Sequence, residues 1–361
     1  MAKIMAWNDQ TKSFCATELR QNRLVSFPTE TVYGLGANAL SDEAVLKVFR
    51  AKGRPQTDPL IVHVHSIEVA FLHTAMTPFQ SKCFSTLMEK FSPGPLTLIV
   101  NVGPNLSPHV TGGSSTVGIR IPDHPVALEL IKECRLPVAA PSANTFGHVS
   151  PTSAQHVMDD LGKNNELTII ESDHPCQIGI ESTVVKIEDE DKLVVLRPGA
   201  ISLLQIKDCL LEEGIEFEIS NRVSYIKNNN KKNMDSPGQL ITHYAPRINT
   251  YLLSENRDEL KEHSLSFDND MLLKTIFIDF NGEYLKQKNR FLKYFDLSSK
   301  GDLDEASSNL FSVLRESENI DGGEYIILNA FCSGEGNDLA NAIFDRMYRA
   351  TSGKYAKIWR K

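Results

Sequence analysis

Lys52 and Arg54 flank Gly53 at the end of a stretch patterned as a helix. Two cations so placed suit a polyphosphate, with arginine acting as a bidentate fork and lysine as a point charge. Each charged hydrogen bond of that kind contributes about 1.5–3 kcal/mol. If Lys52-Gly53-Arg54 runs extended, both side chains project from one side of the chain. Taken alone, the pair also reads as solvent cations meeting the negative end of a helix. Ser142 and Asn144 are the other marked pair, alternate residues in Pro141-Ser142-Ala143-Asn144 behind the apolar run Val138-Ala139-Ala140. Small neighbours let a ligand approach the backbone there, and Ser150 or Thr152 can cap a following helix. No Gly-x-Ser-x-Gly pattern accompanies these serines, so they read as binding hydroxyls rather than nucleophiles.

Thr29 and Thr31 lie in Pro28–Gly36, which reads as a strand-to-helix loop, the place where open α/β sheets bind ligands. Their hydroxyls, with Gly34 and Gly36, can hold a small polar ligand against exposed backbone or form a satisfied turn. His63 and His65 alternate with Val62 and Val64 along Leu60–His65, giving one polar and one apolar face. The same alternation puts Thr116, Gly118 and Arg120 on one face and Val117, Ile119 and Ile121 on the other. Gly118 then leaves room beside an arginine suited to a carboxylate or phosphate, or the segment is an edge strand with Arg120 in solvent. Glu181-Ser182-Thr183 sets a hydroxyl at a strand start, and Leu196-Arg197-Pro198-Gly199 sets an arginine at a turn. The sequence has no Gly-x-x-x-x-Gly-Lys-Ser/Thr loop, no complete Gly-x-Gly-x-x-Gly signature and no cluster with metal-ligand spacing, so metal ligands are not assigned. A nucleotide such as ATP must then be held by strands and loops carrying Lys52, Arg54, Ser142, Ser150 and Arg197.

These residues need a scaffold. Up to about Gly199, apolar runs at Arg23–Phe27, Leu60–His65, Thr97–Val102, Thr116–Pro122, Val138–Ala140, Leu167–Glu171, Thr183–Ile187 and Leu193–Arg197 alternate with amphipathic stretches, which predicts an α/β sheet domain. One helix is well marked: Ser41 caps it, Asp42 and Glu43 fill its first turn, Ala44, Val45, Val48 and Phe49 make its stripe, and Gly53 stops it. Between Ile219 and Arg247 the chain turns polar, with a Lys/Asn run at 227–233 and Ser236-Pro237-Gly238, a linker composition. From Ile248 strands at Thr250–Leu253, Thr275–Phe280 and Tyr325–Leu328 and helices at Leu303–Ser317 and Asp338–Thr351 predict a small open α/β domain. The expected division is 1–218, 219–247 and 248–361. Gly334-Glu335-Gly336 reads as a turn before a helix cap.

A length of 361 residues, 41% of them hydrophobic, suits two ordinary cores. The formal charge of -8 gives no overall attraction to phosphate backbones, which disfavours a non-catalytic RNA-binding factor as the second reading. Met1–Arg23 has no apolar leader pattern and no run is long enough to span a bilayer, so the expected compartment is the cytoplasm. Six scattered cysteines without a Cys-x-x-Cys pair predict reduced thiols.

In order, Phe27-Pro-Thr-Glu-Thr31-Val-Tyr-Gly-Leu-Gly36, Lys52-Gly-Arg54-Pro, Pro59-Leu-Ile-Val-His63, Pro93-Gly-Pro-Leu-Thr97, Arg120-Ile-Pro, Pro141-Ser-Ala-Asn144, Glu181-Ser-Thr-Val and Leu196-Arg-Pro-Gly199 resemble the YrdC-like threonylcarbamoyl-AMP synthases. The resemblance covers Leu24 to Gly199. Ser236-Pro-Gly238, His243-Tyr244-Ala-Pro246 and Asp345-Arg346-Met-Tyr-Arg349-Ala350 extend it to the longer members with a second domain. It implies a twisted mixed sheet with flanking helices and a concave pocket, followed by a smaller Rossmann-like α/β domain. It implies condensation of L-threonine, bicarbonate or CO2 and ATP into threonylcarbamoyl-AMP and pyrophosphate, with Mg²⁺, the product passing to a separate tRNA threonylcarbamoyl transferase for threonylcarbamoyladenosine (t6A) formation. By resemblance Thr31, His63, Arg120, Ala140 and Ser182 hold threonine. Lys52, Arg54, Asp58, Thr116, Ser142, Asn144, Ser150, Arg197 and Tyr244 serve ATP, with Lys52 and Arg54 catalytic. Asp58 stands where many relatives have Asn, and Ser92 where an aromatic residue is common.

Overall fold

The helix that carries Lys52 forms as its pattern requires, over Asp42–Lys52. Ser41 Oγ accepts from the Ala44 amide, Ala44, Val45, Val48 and Phe49 are buried, and Gly53 closes the helix at φ 65°. Because Lys52 stays helical and Gly53 turns left-handed, the Lys52–Arg54 segment is not extended. The two cations reach one region through a helix cap instead. The computed structural model describes residues 1–189, 191–222, 240–254, 264–329 and 337–358. The Lys/Asn run, Ser236-Pro237-Gly238, Gly334–Gly336 and Cys332 lie outside them.

Eleven strands make a mixed sheet in the spatial order Lys3–Ala6, Leu167–Glu171, Leu24–Phe27, Gly34–Asn38, Val138–Ala139, Ile61–His63, Thr116–Arg120, Leu96–Asn101, Thr183–Ile187, Lys192–Arg197 and Glu218–Asn221. Leu24–Phe27 and Gly34–Asn38 pair antiparallel, so residues 28–33 join two neighbouring strands rather than leading to a helix. Gly36 is small because Phe27 packs on it: a Cβ there would meet the Phe27 ring at 2.7 Å. Ile61–His63 runs parallel to Thr116–Arg120 with His63 opposite Arg120, and antiparallel to Val138–Ala139 with His63 opposite Val138. Three short strands thus bring three distant motifs side by side. Ser153, rather than Ser150 or Thr152, caps the following helix Ala154–Leu161.

The second sheet has six strands, all parallel, in the order Ser264–Phe267, Tyr355–Ile358, Asn249–Leu253, Tyr325–Asn329, Thr275–Asp279 and Lys293–Asp296. Helices Leu303–Ser317 and Asp338–Ala350 pack with it. The pattern missed two inner strands, Gly34–Asn38 and Tyr355–Ile358, and the four outer ones, Lys3–Ala6, Glu218–Asn221, Ser264–Phe267 and Lys293–Asp296, whose side chains are mostly half-buried or exposed. Without a fully buried face the outer strands carry little apolar periodicity.

The two sheets share a core where the linker returns. Val32, Val149, Ile180 and Tyr244 pack in one apolar cluster with Leu310, Phe311, Ile343 and Met347 from the C-terminal helices. Tyr244 stacks on Phe311 with ring centroids 5.3 Å apart. Cys15, Cys83, Cys134, Cys176 and Cys209 are buried free thiols. Among the described residues, no helix is long and apolar enough to cross a membrane.

Candidate active site

A small cleft lies where these short strands end, with about 50 Å³ open to water-sized occupants. Of the residues singled out in the sequence, Thr31, Arg54, His63, Arg120, Ala140, Ser142, Arg197 and Tyr244 line it, joined by Glu181 and His243. Lys52, Asp58, Asn144, Ser150 and Ser182 are not on its wall but bond to residues that are, or to the loops that carry them.

On one side, Arg120 Nη2 donates to Glu30 Oε1 at 2.7 Å and to Thr31 Oγ1 at 2.9 Å. Thr29 Oγ1 donates to the Val32 carbonyl at 2.7 Å and lies 2.8 Å from Thr31 Oγ1, which fixes the loop that presents Thr31. The His63 ring sits edge-on to Phe27 with centroids 6.3 Å apart. Burial and the neighbouring Arg120 cation push its pKa down to about 3, so it is neutral at physiological pH. Glu30 Oε2, Arg120 Nε and His63 Nδ1 have no hydrogen-bond partner in the protein.

On the other side, Lys52 Nζ donates to the carbonyls of Ser142 at 2.6 Å and Asn144 at 2.5 Å, and Asn144 Nδ2 donates to the Thr145 and His148 carbonyls at 2.8 Å each. Lys52 therefore braces the Ser142–Asn144 loop from behind. Burial first, and then Arg54, hold its pKa well below that of an ordinary lysine. Arg54 donates to the Pro59 carbonyl at 2.9 Å, lies 2.7 Å from Asp58 Oδ1 and has Phe146 5.8 Å from its guanidinium carbon. Burial raises the pKa of Asp58 while Arg54 opposes that shift, so this position acts as a counter-charge to Arg54. Arg197 donates to the Ser182 carbonyl at 3.0 Å and to its hydroxyl at 3.1 Å, and Ser182 Oγ lies 2.8 Å from Thr97 Oγ1.

One local expectation fails, and one residue stands apart from the cleft. The room beside Gly118 is occupied by Thr97, whose methyl lies 3.2 Å from where a Cβ would stand. Thr116 stands at the far end of its strand, about 13 Å from Arg120 at 3.3 Å per residue, and its hydroxyl pairs with Ser114 at 3.0 Å. It does not line the cleft. Ser92 ends the helix Pro78–Phe91, where its hydroxyl contacts the Met88 sulfur.

Sequence reasoning gave no role to Glu30, Glu181, His243, Arg315 or Arg346. Ser150 Oγ donates to Glu181 Oε1 at 2.6 Å, and Arg346 Nε donates to Glu181 Oε2 at 3.1 Å. Arg315 donates to the Ser150 carbonyl and pairs with Asp160 at 3.0 Å. A signal for Arg346 was present: it falls on the same buried helix face as Ile343, Met347 and Ala350, where a cation needs a partner.

Residues 17–199 match the family model described as telomere recombination (Sua5, YciO and YrdC), and residues 201–352 match the threonylcarbamoyl-AMP synthase C-terminal domain. The threonylcarbamoyl-AMP synthase of Pyrococcus abyssi is 34% identical over 345 residues, 94% of each chain. That of Schizosaccharomyces pombe is 33% identical over 359 residues, covering 91% of this chain and 85% of the relative. The Bacillus subtilis synthase is 46% identical over 243 residues, 67% of this chain and 66% of the relative. The crystal structure of P. abyssi Sua5 complexed with L-threonine superposes with a TM-score of 0.81 at 31% identity, covering 99% of this chain and all of that one. Ordered motifs, paired sheets and full-length matches agree: this chain belongs to the Sua5-type threonylcarbamoyl-AMP synthases, a YrdC-like domain followed by a Sua5 C-terminal domain.

Proposed function

We propose that this cleft holds L-threonine beside Arg120 and ATP beside Arg54, and joins them through CO2 or bicarbonate into threonylcarbamoyl-AMP for t6A modification of tRNA. One observation carries the assignment. Arg120 Nε, His63 Nδ1, His243 Nδ1 and Tyr244 OH, all of residues that line the cleft, are buried without hydrogen-bond partners in the protein, as is Oε2 of Glu30, the carboxylate paired with Arg120. An unsatisfied buried polar atom costs about 1–3 kcal/mol, so a cluster of them fits a polar ligand that completes it.

Arg120 pairs with the threonine carboxylate, while Thr31, neutral His63, Ala140 and Ser182 shape the pocket for the amine and side chain. Arg54, Ser142, Arg197 and Tyr244 face the nucleotide, and Lys52, Asp58, Asn144 and Ser150 support them from behind; Thr116 is assigned at most an outer contact. The threonine amine adds to CO2, losing a proton, to give a carbamate. A carbamate oxygen attacks the α-phosphorus in line, the bond to the bridging oxygen breaks, and pyrophosphate leaves. A histidine with a pKa of about 3 is a poor proton acceptor, so positioning and charge neutralisation by Arg54, with Lys52 acting through the Ser142–Asn144 loop, dominate over acid–base transfer.

Glu30, Asp58 and Glu181 are each matched to an arginine, and among the described residues no three ligating side chains gather at one point. Among the described residues there is thus no side-chain cage for Mg²⁺. The ion would be held by the triphosphate, as is usual for Mg²⁺, and would offset its charge.

The open space suits about four waters, far less than ATP with threonine. His243 and Tyr244 form part of its wall, so the segment around them withdraws to admit substrates and returns to exclude water from the adenylate. In this reading 1–218 is the catalytic domain, 219–247 the covering linker and 248–361 a Rossmann-like domain, acting in the cytoplasm and passing product to a tRNA threonylcarbamoyl transferase. Pyrophosphate release from ATP with labelled bicarbonate, and with threonine, serine, glycine or no amino acid, tests it. Release independent of threonine rejects the assignment.

A further inference from the structure

We propose that Arg346, contributed by the C-terminal domain, is a positioning residue of the synthase site, holding Glu181 and the turn after Arg197 so that Arg197 faces the substrates with Ser150 and Ser182 bonded behind the wall. This rests on the substrate assignment above. Arg346 is fully buried, and most of its bonds leave its own helix. Nε donates to Glu181 Oε2 at 3.1 Å, Nη2 to the Glu181 carbonyl at 3.2 Å and Nη1 to the Pro198 carbonyl at 2.7 Å. Its own helix supplies only the Ala342 carbonyl at 3.4 Å and Asp345 at 3.3 Å. Glu181 precedes Ser182 and Pro198 follows Arg197, and Arg197 is itself bonded to Ser182. The two turns already touch: a Cβ on Gly199 would lie 2.4 Å from the Thr183 nitrogen. One planar guanidinium therefore clamps both ends of the turn pair, a geometry that the point charge of lysine does not reproduce.

The clamp also acts on charge. Glu181 lines the cleft, so its carboxylate stands where a triphosphate would be repelled. Arg346 neutralises one oxygen, while the other accepts from Ser150 at 2.6 Å. The guanidinium carbon also lies 5.8 Å from the Tyr244 ring centroid, close enough for a cation–π contact with the linker residue that walls the cleft. The C-terminal domain thereby completes the catalytic cleft rather than merely adjoining it.

Steady-state pyrophosphate release by the full chain tests this. Arg346→Met is expected to lower kcat/KM for ATP about 100-fold at saturating threonine, the loss typical of displaced positioning groups. Adding Glu181→Gln removes the unpaired carboxylate and is expected to recover at least about tenfold, a rescue that an interdomain glue would not show. If Arg346→Met does not fold, Arg346→Lys keeps the charge without the fork and is expected to reduce kcat/KM with an unchanged far-ultraviolet circular dichroism spectrum. Native kinetics in a folded single variant, or no recovery in a folded double variant, overturns the proposal. Loss of threonine dependence in the unmodified enzyme would instead reject the substrate assignment.

Discussion

Arg54 and Arg120 on one side, and Arg315 and Arg346 on the other, are all buried cations paired with carboxylates, yet their surroundings differ. Around Arg54 and Arg120, polar atoms of Glu30, His63, His243, Tyr244 and Arg120 itself are unmatched. Arg315 and Arg346 instead spend their donors on carbonyls and carboxylates across the domain junction. Burial and ion pairing alone therefore do not mark a binding cation. Incomplete satisfaction does, because a saturated network has nothing left to offer a ligand.

The sharpest way to break that contrast is Arg120→Ala. Removing a charge-assisted partner of the threonine carboxylate is expected to cost about 2–3 kcal/mol, a ~30- to 150-fold rise in the threonine KM. An unchanged threonine titration would place Arg120 with the saturated scaffold. Next come Lys52→Ala and Arg54→Ala, each expected to lower turnover about tenfold or more while shifting threonine binding less. Equal loss of both, read by kinetics and calorimetry, would point to collapse of the Ser142–Asn144 loop that Lys52 braces. Tyr244→Ala is expected to weaken ATP binding by roughly tenfold, the loss of about one good contact, and to shorten the life of the adenylate. No change in either removes the covering role of the linker.

The smallest effect concerns the junction itself. His148 bonds Asp160 at 2.8 Å and Glu318 at 3.0 Å, with Arg315 and Arg247 facing the same Asp160 and His156 nearby. Burial opposes its charge, but the bonds to Asp160 and Glu318 prevail and hold its pKa above the ordinary histidine value. A folded-state pKa raised in this way gives stability that is full below the unfolded value and lost as pH rises through the folded one. The melting temperature is expected to fall over that window, and His148→Gln to flatten the fall. A steeper fall in the variant would contradict the sign.

Much of the site was legible in short-range patterns. The Asp42–Lys52 helix announces its cap, stripe and stop, and the ordered motifs announce Thr31, Arg54, His63, Arg120, Ser142, Arg197 and Tyr244, all of which reach one cleft. Thr116 shares a strand face with Arg120, but four residues of extended chain set it apart, so a shared face does not put both on the cleft wall. The partners of Lys52 were hidden for a related reason: its Nζ finds carbonyls about ninety residues away in sequence, which no local pattern names.

The sequence by itself determined the class of chemistry, the two α/β units and most of the inner strands, because apolar periodicity and motif order are encoded locally. Tertiary structure alone decided which polar groups are matched and which are left open. Glu30 with Arg120, and Ser150 with Glu181 and Arg346, meet across 90, 31 and 165 residues of separation. The energy of a buried charge depends on partners brought by topology, and so does the line between a residue that binds substrate and one that holds the binding residue in place.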